Sequence, residues 1–294
     1  MTIDTNAKTT IAFVGTGMMG APMATRLLRA GFVVRVWNRS PQRVAPLVSL
    51  GAIATSSPAE AATGADVLVT MLPDGPLVGA AMGGSQGALD TLARGAVWLQ
   101  MSSIGVEWTG QLGELADHHG VVFVDAPVSG SVAPAEAGTL LILASGPESV
   151  RGQVAPVFDA MGRQTMWLGD AGAGSKAKLV LNNWLVGLVE SIAETLHFTQ
   201  ALGLEPELII QLLDEAPIGS PYAVAKARQM LAADFAPSFA LKLALKDADL
   251  AVAAARDAGI DLRVTNSFIE SWHRAVDSGR GDEDLSVVYA SSGA

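Results

Sequence analysis

Cysteine is absent from this 294-residue chain, which excludes disulfides, thiolate-bound zinc and a thiol nucleophile. Charge is sparse as well: 16% of residues carry one against 50% that are hydrophobic, a balance that builds packed cores and not a disordered chain. Positive charge is the scarcer kind, with 19 Lys plus Arg facing 29 Asp plus Glu for a net −10. Nucleic acid is therefore not an expected partner, because counterion-release binding needs clustered cations. Long apolar runs are missing. The most apolar stretch, Leu179 to Ala193, is broken by Asn182, Asn183 and Glu190, so no membrane span and no membrane partner is expected. Met1-Thr2-Ile3-Asp4-Thr5-Asn6 lacks the basic and apolar blocks of a signal peptide, and a cytoplasmic protein is expected. His118 and His119 end a helical stretch while His197 and His273 stand alone, so no metal constellation is read.

What is present falls into two halves. The length is about twice the ~150 residues of a typical domain. From residue 10 to about 170, short β-branched runs alternate with helical patterns. Ile11-Ala12-Phe13-Val14 reads as a buried strand, followed by glycines and a helix to Ala30, where Gly31 stops it. Phe32 to Trp37 is the next strand, and Val67 to Met71 follows an Ala-rich helix opened by Ser57-Pro58. Further strands are expected at 96–100, 121–124, 139–144 and 164–168, with helices near 106–119 and 147–161. Strands spaced by helices predict a largely parallel, doubly wound α/β sheet, with the pairing of the last strands left open. After Gly169 one helical run extends to about Leu202, and the rest is helical, ending in loose polar segments at 278–284 and 291–294. The expected organisation is a dinucleotide-binding domain over 1–170, then a long connecting helix and an all-helical domain over 171–294.

Gly15-Thr16-Gly17-Met18-Met19-Gly20 follows the first strand and opens the first helix. In that setting the glycines permit a tight turn, close backbone approach to a pyrophosphate and close helix–strand contact, and the helix N-terminus offers free N–H groups to phosphate. The alternative is a glycine-rich turn with no ligand. An NAD site usually ends its second strand in an acidic residue; here the strand ends Trp37-Asn38-Arg39-Ser40. Asn38 and Ser40 can hydrogen-bond a 2′-phosphate and Arg39 can pair with it, so NADP(H) is the expected cofactor. Arg39 as a plain surface residue is the competing interpretation.

A hydride donor calls for groups that hold and protonate a carbonyl, and three segments offer them. Asp125-Ala126-Pro127-Val128-Ser129-Gly130-Ser131 follows a strand, with the Ser129 hydroxyl and a turn at Gly130 able to present N–H groups to an anion. In Gly172 to Asn182, Lys178 and Asn182 lie four apart on one helical face with Gly174 a turn earlier. A lysine desolvated among apolar residues suits a general acid that gives up a proton and recovers it; Lys176, on another face, is an ordinary surface lysine. The third segment, Phe235 to Asp247, carries Phe239, Lys242, Lys246 and Asp247 behind an expected cap at Ser238. Taken alone it reads as a solvated stripe.

Taken in order, these segments resemble the β-hydroxyacid dehydrogenase family, which includes 3-hydroxyisobutyrate dehydrogenase, and most of all its glyoxylate/succinic semialdehyde reductase branch. The matching pieces are Phe13 to Ala24, Trp37 to Ser40, Met71-Leu72-Pro73-Asp74, Met101-Ser102-Ser103, Ala126 to Ser131 with Pro134 to Gly138, the Gly174…Lys178…Asn182 helix, and Phe239…Lys246-Asp247. The resemblance implies a Rossmann domain whose turn at Gly15, Gly17, Met18, Met19 and Gly20 binds the cofactor, assisted by Asn38, Arg39, Ser40, Ser103 and Lys246. It also implies Met71, Leu72 and Pro73 beside the adenosine ribose. Lys178 corresponds to the catalytic lysine and Asn182 to its helix partner; Ser129 and Gly130 correspond to the substrate-carboxylate site, which Phe239 and Asp247 help to close. Ser129-Gly130-Ser131 departs from the Ser-Gly-Gly of the 3-hydroxyisobutyrate branch. The expected activity is NADPH-dependent reduction of a small aldehyde or keto acid, with homo-oligomers formed through the Ala- and Leu-rich helical half. An imine reductase, which usually has Asp or Tyr where Lys178 stands, and a non-catalytic NADP-binding module are the competing classes.

Overall fold

The protein is seen in a computed structural model that describes residues 9–292. The leader reading at Met1 to Asn6 and tail positions 293–294 lie outside the described residues. Contacts divide the chain into two units, Met1–Lys178 and Leu179–Ala294.

The first unit runs β1 (Thr10–Val14), α1 (Gly20–Arg29), β2 (Val33–Trp37), α2 (Ala45–Val48), β3 (Ile53–Ala54), α3 (Pro58–Ala62), β4 (Val67–Thr70), α4 (Gly75–Gly83), β5 (Val97–Gln100), α5 (Gly105–His119) and β6 (Val122–Asp125). There follow β7 (Val128–Ser129), α6 (Val132–Ala137), β8 (Leu140–Ala144), α7 (Arg151–Met161), β9 (Gly162–Trp167) and the start of α8 (Ala173–Ala201). Six strands form one parallel sheet in the order β3-β2-β1-β4-β5-β6. The alternation of side chains explains why it is covered on both faces. Ile11, Phe13, Val67, Val69, Val97 and Leu99 enter one apolar cluster, while Ala12, Val14, Leu68 and Trp98 enter another. The chain winds outward from β1 to β3 and then returns past β1 to β4. The glycine turn after β1 therefore sits where strand order reverses, the crevice in which such sheets bind ligands.

The expected strands and helices of this half are present, with ends shifted by a few residues. Ser57 caps α3, accepting the Glu60 N–H at 3.1 Å ahead of Pro58, while the Glu60 carboxylate takes the Ser56 N–H at 2.7 Å. Two strands without a sequence signal, β3 and β7, are only two residues long. The pairing left open resolves as a second sheet, β7-β8-β9, with β7 antiparallel and β9 parallel to β8.

The second unit holds the rest of α8, then α9 (Pro206–Glu215), α10 (Pro221–Leu231), α11 (Leu241–Asp257), α12 (Arg263–Ala275) and α13 (Val288–Ser292). On α8, Val186, Val189, Ala193 and Leu196 recur at helical spacing and pack with Leu241 and Leu245 of α11 and Phe268 and Trp272 of α12. Two expectations fail here. The segment 278–284 is not a loose tail: Asp284 is fully buried and bridges Ala240, because the 281–285 backbone pairs with the 239–242 backbone. Nor does Ser238 cap a helix. Helix α11 starts at Leu241 after Ala240, and the Ser238 hydroxyl donates to Asp284 instead at 2.8 Å. Among the described residues no helix is long and apolar enough to cross a membrane.

Candidate active site

The carboxyl ends of β1, β2, β4, β5 and β6 lead into most of the candidate residues of the first unit, with Ser129 in β7 and Lys178 on α8. After β1, Gly15 takes φ +104°, and a Cβ there would stand 2.3 Å from the Met71 carbonyl oxygen. A Cβ on Gly20 would lie 1.9 Å from the Gly15 oxygen, so α1 starts directly against the turn and no larger residue fits. At Gly17 the surroundings are open, with only Arg43 Nη1 near, 3.7 Å from where a Cβ would be. That is the shape of a cradle for a dinucleotide phosphate: crowded behind, open in front, and at a helix N-terminus. Met18 is exposed on its rim, whereas Met19 packs on the apolar core.

Asn38 stiffens this turn. Its Oδ1 accepts the Thr16 N–H at 3.1 Å and its amide donates to the Ser40 oxygen at 3.1 Å, while the Gly15 N–H reaches the Trp37 oxygen at 2.9 Å. Arg39 is exposed and Ser40 half-buried at the loop that follows. Sequence spacing passed over Arg43. It becomes visible only because the turn at 41–43 folds back, with the Thr16 hydroxyl donating to the Arg43 oxygen at 3.4 Å.

Beside the cradle, a buried polar network shapes the Met71-Leu72-Pro73 loop. Trp98 Nε1 donates to Thr70 Oγ1 at 2.9 Å, and Gln100 Oε1 accepts the Ser102 N–H at 2.8 Å. Ser102 Oγ accepts the Leu72 N–H at 2.8 Å, fixing that loop and presenting half-buried Ser103 next in the chain.

At the end of β6, Asp125 is fully buried. Its Oδ2 accepts the Ser175 N–H at 2.7 Å, and its Oδ1 lies 2.7 Å from Ser175 Oγ. Burial pushes this carboxyl up to about 6, against the downward pull of the Ser175 and Ser145 hydrogen bonds. Four residues later Ser129 is half-buried and Gly130 takes φ +132°, with Leu140 Cδ2 2.8 Å from where a Cβ would stand. Lys178, half-buried, lies three residues past Ser175 on α8.

In the second unit Asn182, Lys246 and Asp247 come together. Asn182 Nδ2 donates to Asp247 Oδ2 at 2.5 Å, Lys246 Nζ stands 2.8 Å from Asp247 Oδ1, and both Asn182 and Asp247 are buried. Phe239 lies before α11 and not on it; its N–H donates to Asp284 at 3.1 Å and its ring packs on the helical core. Lys242 is exposed and pairs with Asp282.

Two family patterns divide the chain: the NAD-binding domain of 6-phosphogluconate dehydrogenase matches residues 10–169, and the NAD-binding domain of NADP-dependent 3-hydroxyisobutyrate dehydrogenase matches 172–291. Glyoxylate/succinic semialdehyde reductase 2 of Arabidopsis thaliana is 33% identical over 278 residues, covering 95% of this chain and 78% of that protein. The 2-(hydroxymethyl)glutarate dehydrogenase of Eubacterium barkeri is 35% identical, covering 95% and 93%. A solved structure of Mycobacterium tuberculosis 3-hydroxyisobutyrate dehydrogenase with L-serine aligns at TM-score 0.87 with 32% identity, covering 98% of this chain and all of that one. With the parallel sheet, the glycine turn at its switch point and both halves matched, the chain belongs to the β-hydroxyacid dehydrogenase family and is a nicotinamide-dependent oxidoreductase acting on hydroxyacids.

Proposed function

We propose that this enzyme uses NADPH to reduce a small carboxylate-bearing aldehyde or ketone, glyoxylate or succinic semialdehyde by chemical class, with Lys178 as general acid. The residues present fit the cofactor. The Gly15–Gly20 turn, open at Gly17, offers N–H groups at the start of α1 to the pyrophosphate. Asn38, Arg39 and Ser40 stand where an NAD site carries an acid, and Arg43 adds a second guanidinium to answer a 2′-phosphate. Met71, Leu72, Pro73 and Ser103 line the same edge. Held by these residues, a reduced nicotinamide cofactor would supply a hydride to the carbonyl carbon.

The chain's own residues do the rest. Ser129 Oγ and the Gly130 N–H hold the substrate carboxylate, which fixes the carbonyl for attack; orientation of this kind contributes up to roughly 7–11 kcal/mol. Lys178 Nζ hydrogen-bonds the carbonyl oxygen and delivers its proton as negative charge develops there. Asn182, with its amide hydrogen committed to Asp247, keeps Oδ1 as an acceptor on the helix face of Lys178.

One observation carries this reading. The turn that bears Ser129 and Gly130 follows Asp125 at the end of β6, and the first turn of α8 is hydrogen-bonded to that same residue, at the carboxyl edge of the sheet that also carries the glycine cradle. Copies of the chain associate through the helical unit, whose α8 exposes Val180, Trp184 and Phe198 on one side. The test is NADPH consumption with glyoxylate, succinic semialdehyde, methylmalonate semialdehyde and a cyclic imine, in wild type and Lys178→Ala. Turnover of the acids that drops by orders of magnitude in the variant, with NADPH affinity retained, is the expected result. Preference for the imine, or a fully active variant, sinks it.

A further inference from the structure

Asp125 has no part in the steps above, yet it is the carboxylate most completely enclosed in polar contacts in the first unit. Its backbone pairs twice with Ser145, N–H to oxygen at 2.9 and 2.7 Å, which fixes the end of β6 against the end of β8. Ser145 Oγ accepts the Gly174 N–H at 2.9 Å, and Asp125 Oδ2 accepts the Ser175 N–H at 2.7 Å. Two of the free N–H groups at the start of α8 are thus taken up by these two paired strand ends. The contact is close because residue 174 is glycine: a Cβ there would lie 2.2 Å from the Leu143 oxygen and 3.0 Å from the Asp125 oxygen.

We infer that Asp125 is a positioning residue: by holding the first turn of α8 to the end of β6 it sets where Lys178 stands relative to the Ser129–Gly130 turn. The inference rests on the reading of Lys178 as general acid. Lys178 follows Ser175 by three residues, less than one helical turn, and Ser129 follows Asp125 by four. A shift at this anchor therefore moves the acid and the carboxylate holder against each other, and a displacement of about 1 Å costs on the order of 100-fold in rate.

The same carboxylate reaches a further helix. Ser175 Oγ donates to Asp125 Oδ1 at 2.7 Å and stands 2.9 Å from Thr109 Oγ1, which donates to the Gly105 carbonyl oxygen on α5 at 2.7 Å. An asparagine keeps the shape of the side chain and the oxygen that accepts the Ser175 N–H.

The test compares Asp125→Asn with Asp125→Ala in the full-length protein by two measurements. Hydrogen–deuterium exchange without cofactor reads the amides of 173–178, and steady-state and single-turnover kinetics with NADPH read the chemical step. Asp125→Ala is expected to lose protection at the start of α8 and roughly 10–100-fold in kcat while NADPH Kd is kept; Asp125→Asn is expected to restore both. Native exchange in Asp125→Ala overturns the hold on the helix, and lost protection with unchanged kcat overturns its catalytic consequence. An asparagine variant as impaired as the alanine one overturns the hold through the Ser175 N–H, whose acceptor oxygen asparagine keeps. Full turnover in Lys178→Ala overturns the reading of the lysine instead, and the exchange data then judge the anchor by themselves.

Discussion

Asn182 donates its side-chain amide to Asp247 Oδ2 across 2.5 Å, joining α8 to α11 within the helical unit. Neither residue meets solvent, and the other carboxylate oxygen has the Lys246 ammonium 2.8 Å away. The amide of Asn182 is therefore turned one way only, nitrogen toward Asp247 and oxygen away from it. Asp247→Leu removes the acceptor and strands a buried donor, a loss of about 1–3 kcal/mol. We expect kcat to fall by roughly 5- to 100-fold at about 1.4 kcal/mol per tenfold, with a smaller change in NADPH Kd. A variant that loses only cofactor affinity would place Asp247 with Lys246 and not with Asn182.

Cofactor choice is the second expectation. Asn38 spends its side chain on Thr16 and Ser40, which leaves charge pairing to Arg39 and Arg43. Arg39→Ala and Arg43→Ala should each raise the KM for NADPH by about 10- to 100-fold, the worth of one hydrogen-bonded charge pair, and leave the KM for NADH nearly unchanged. Titration of both nucleotides against each variant checks this. Equal losses for the two nucleotides would move the arginines away from the 2′-phosphate.

Association is the third. Trp184 is 67% and Phe198 63% exposed on α8, against a fully buried opposite face at Val186, Val189 and Leu196. Isolated exposed apolar side chains are ordinary, but two aromatics with Val180 on one side of a helix form a stripe. Trp184→Lys with Phe198→Lys should lower the oligomer mass measured by light scattering while leaving the circular dichroism spectrum as it is. An unchanged mass would exclude this stripe from the interface.

Much of this was legible in the residues, and what was not has definite causes. The parallel sheet could be read because Ile11 to Val14 and Val67 to Val69 are apolar on both faces, and α8 because no proline interrupts Ala173 to Ala201. The two-residue strands β3 and β7 are too short to show a period, and they exist through neighbours in the sheet. Ser238 has the right chemistry for a helix cap and a helical run after it, yet Asp284, forty-six residues on, takes its hydroxyl. Arg43 and Asp125 were hidden for the same reason: their partners, Thr16 and Ser175, are fixed by tertiary folding and leave no spacing to count.

That Asp284 is the basis of a last, pH-dependent expectation. It accepts from Lys226 Nζ at 2.5 Å, Ser238 N at 2.9 Å, Ser238 Oγ at 2.8 Å, Phe239 N at 3.1 Å and Ser286 N at 3.0 Å. Burial alone would push its carboxyl up, but the Lys226 ammonium and these donors outweigh it and hold the carboxyl below the ordinary value. A group lowered on folding adds stability above the unfolded pKa, about 3.9, and loses it as pH falls through the folded value. Lys226→Met reverses the sign. Without the ammonium, burial dominates, the folded carboxyl prefers its proton, and stability is gained on acidification. The substitution should cost about 3–5 kcal/mol at pH 7, the expense of one buried unpaired charge, and distinctly less at about pH 5. Urea unfolding at the two pH values measures both numbers. A cost independent of pH would mean that Lys226 acts through packing of its methylene stem and not through its charge on Asp284.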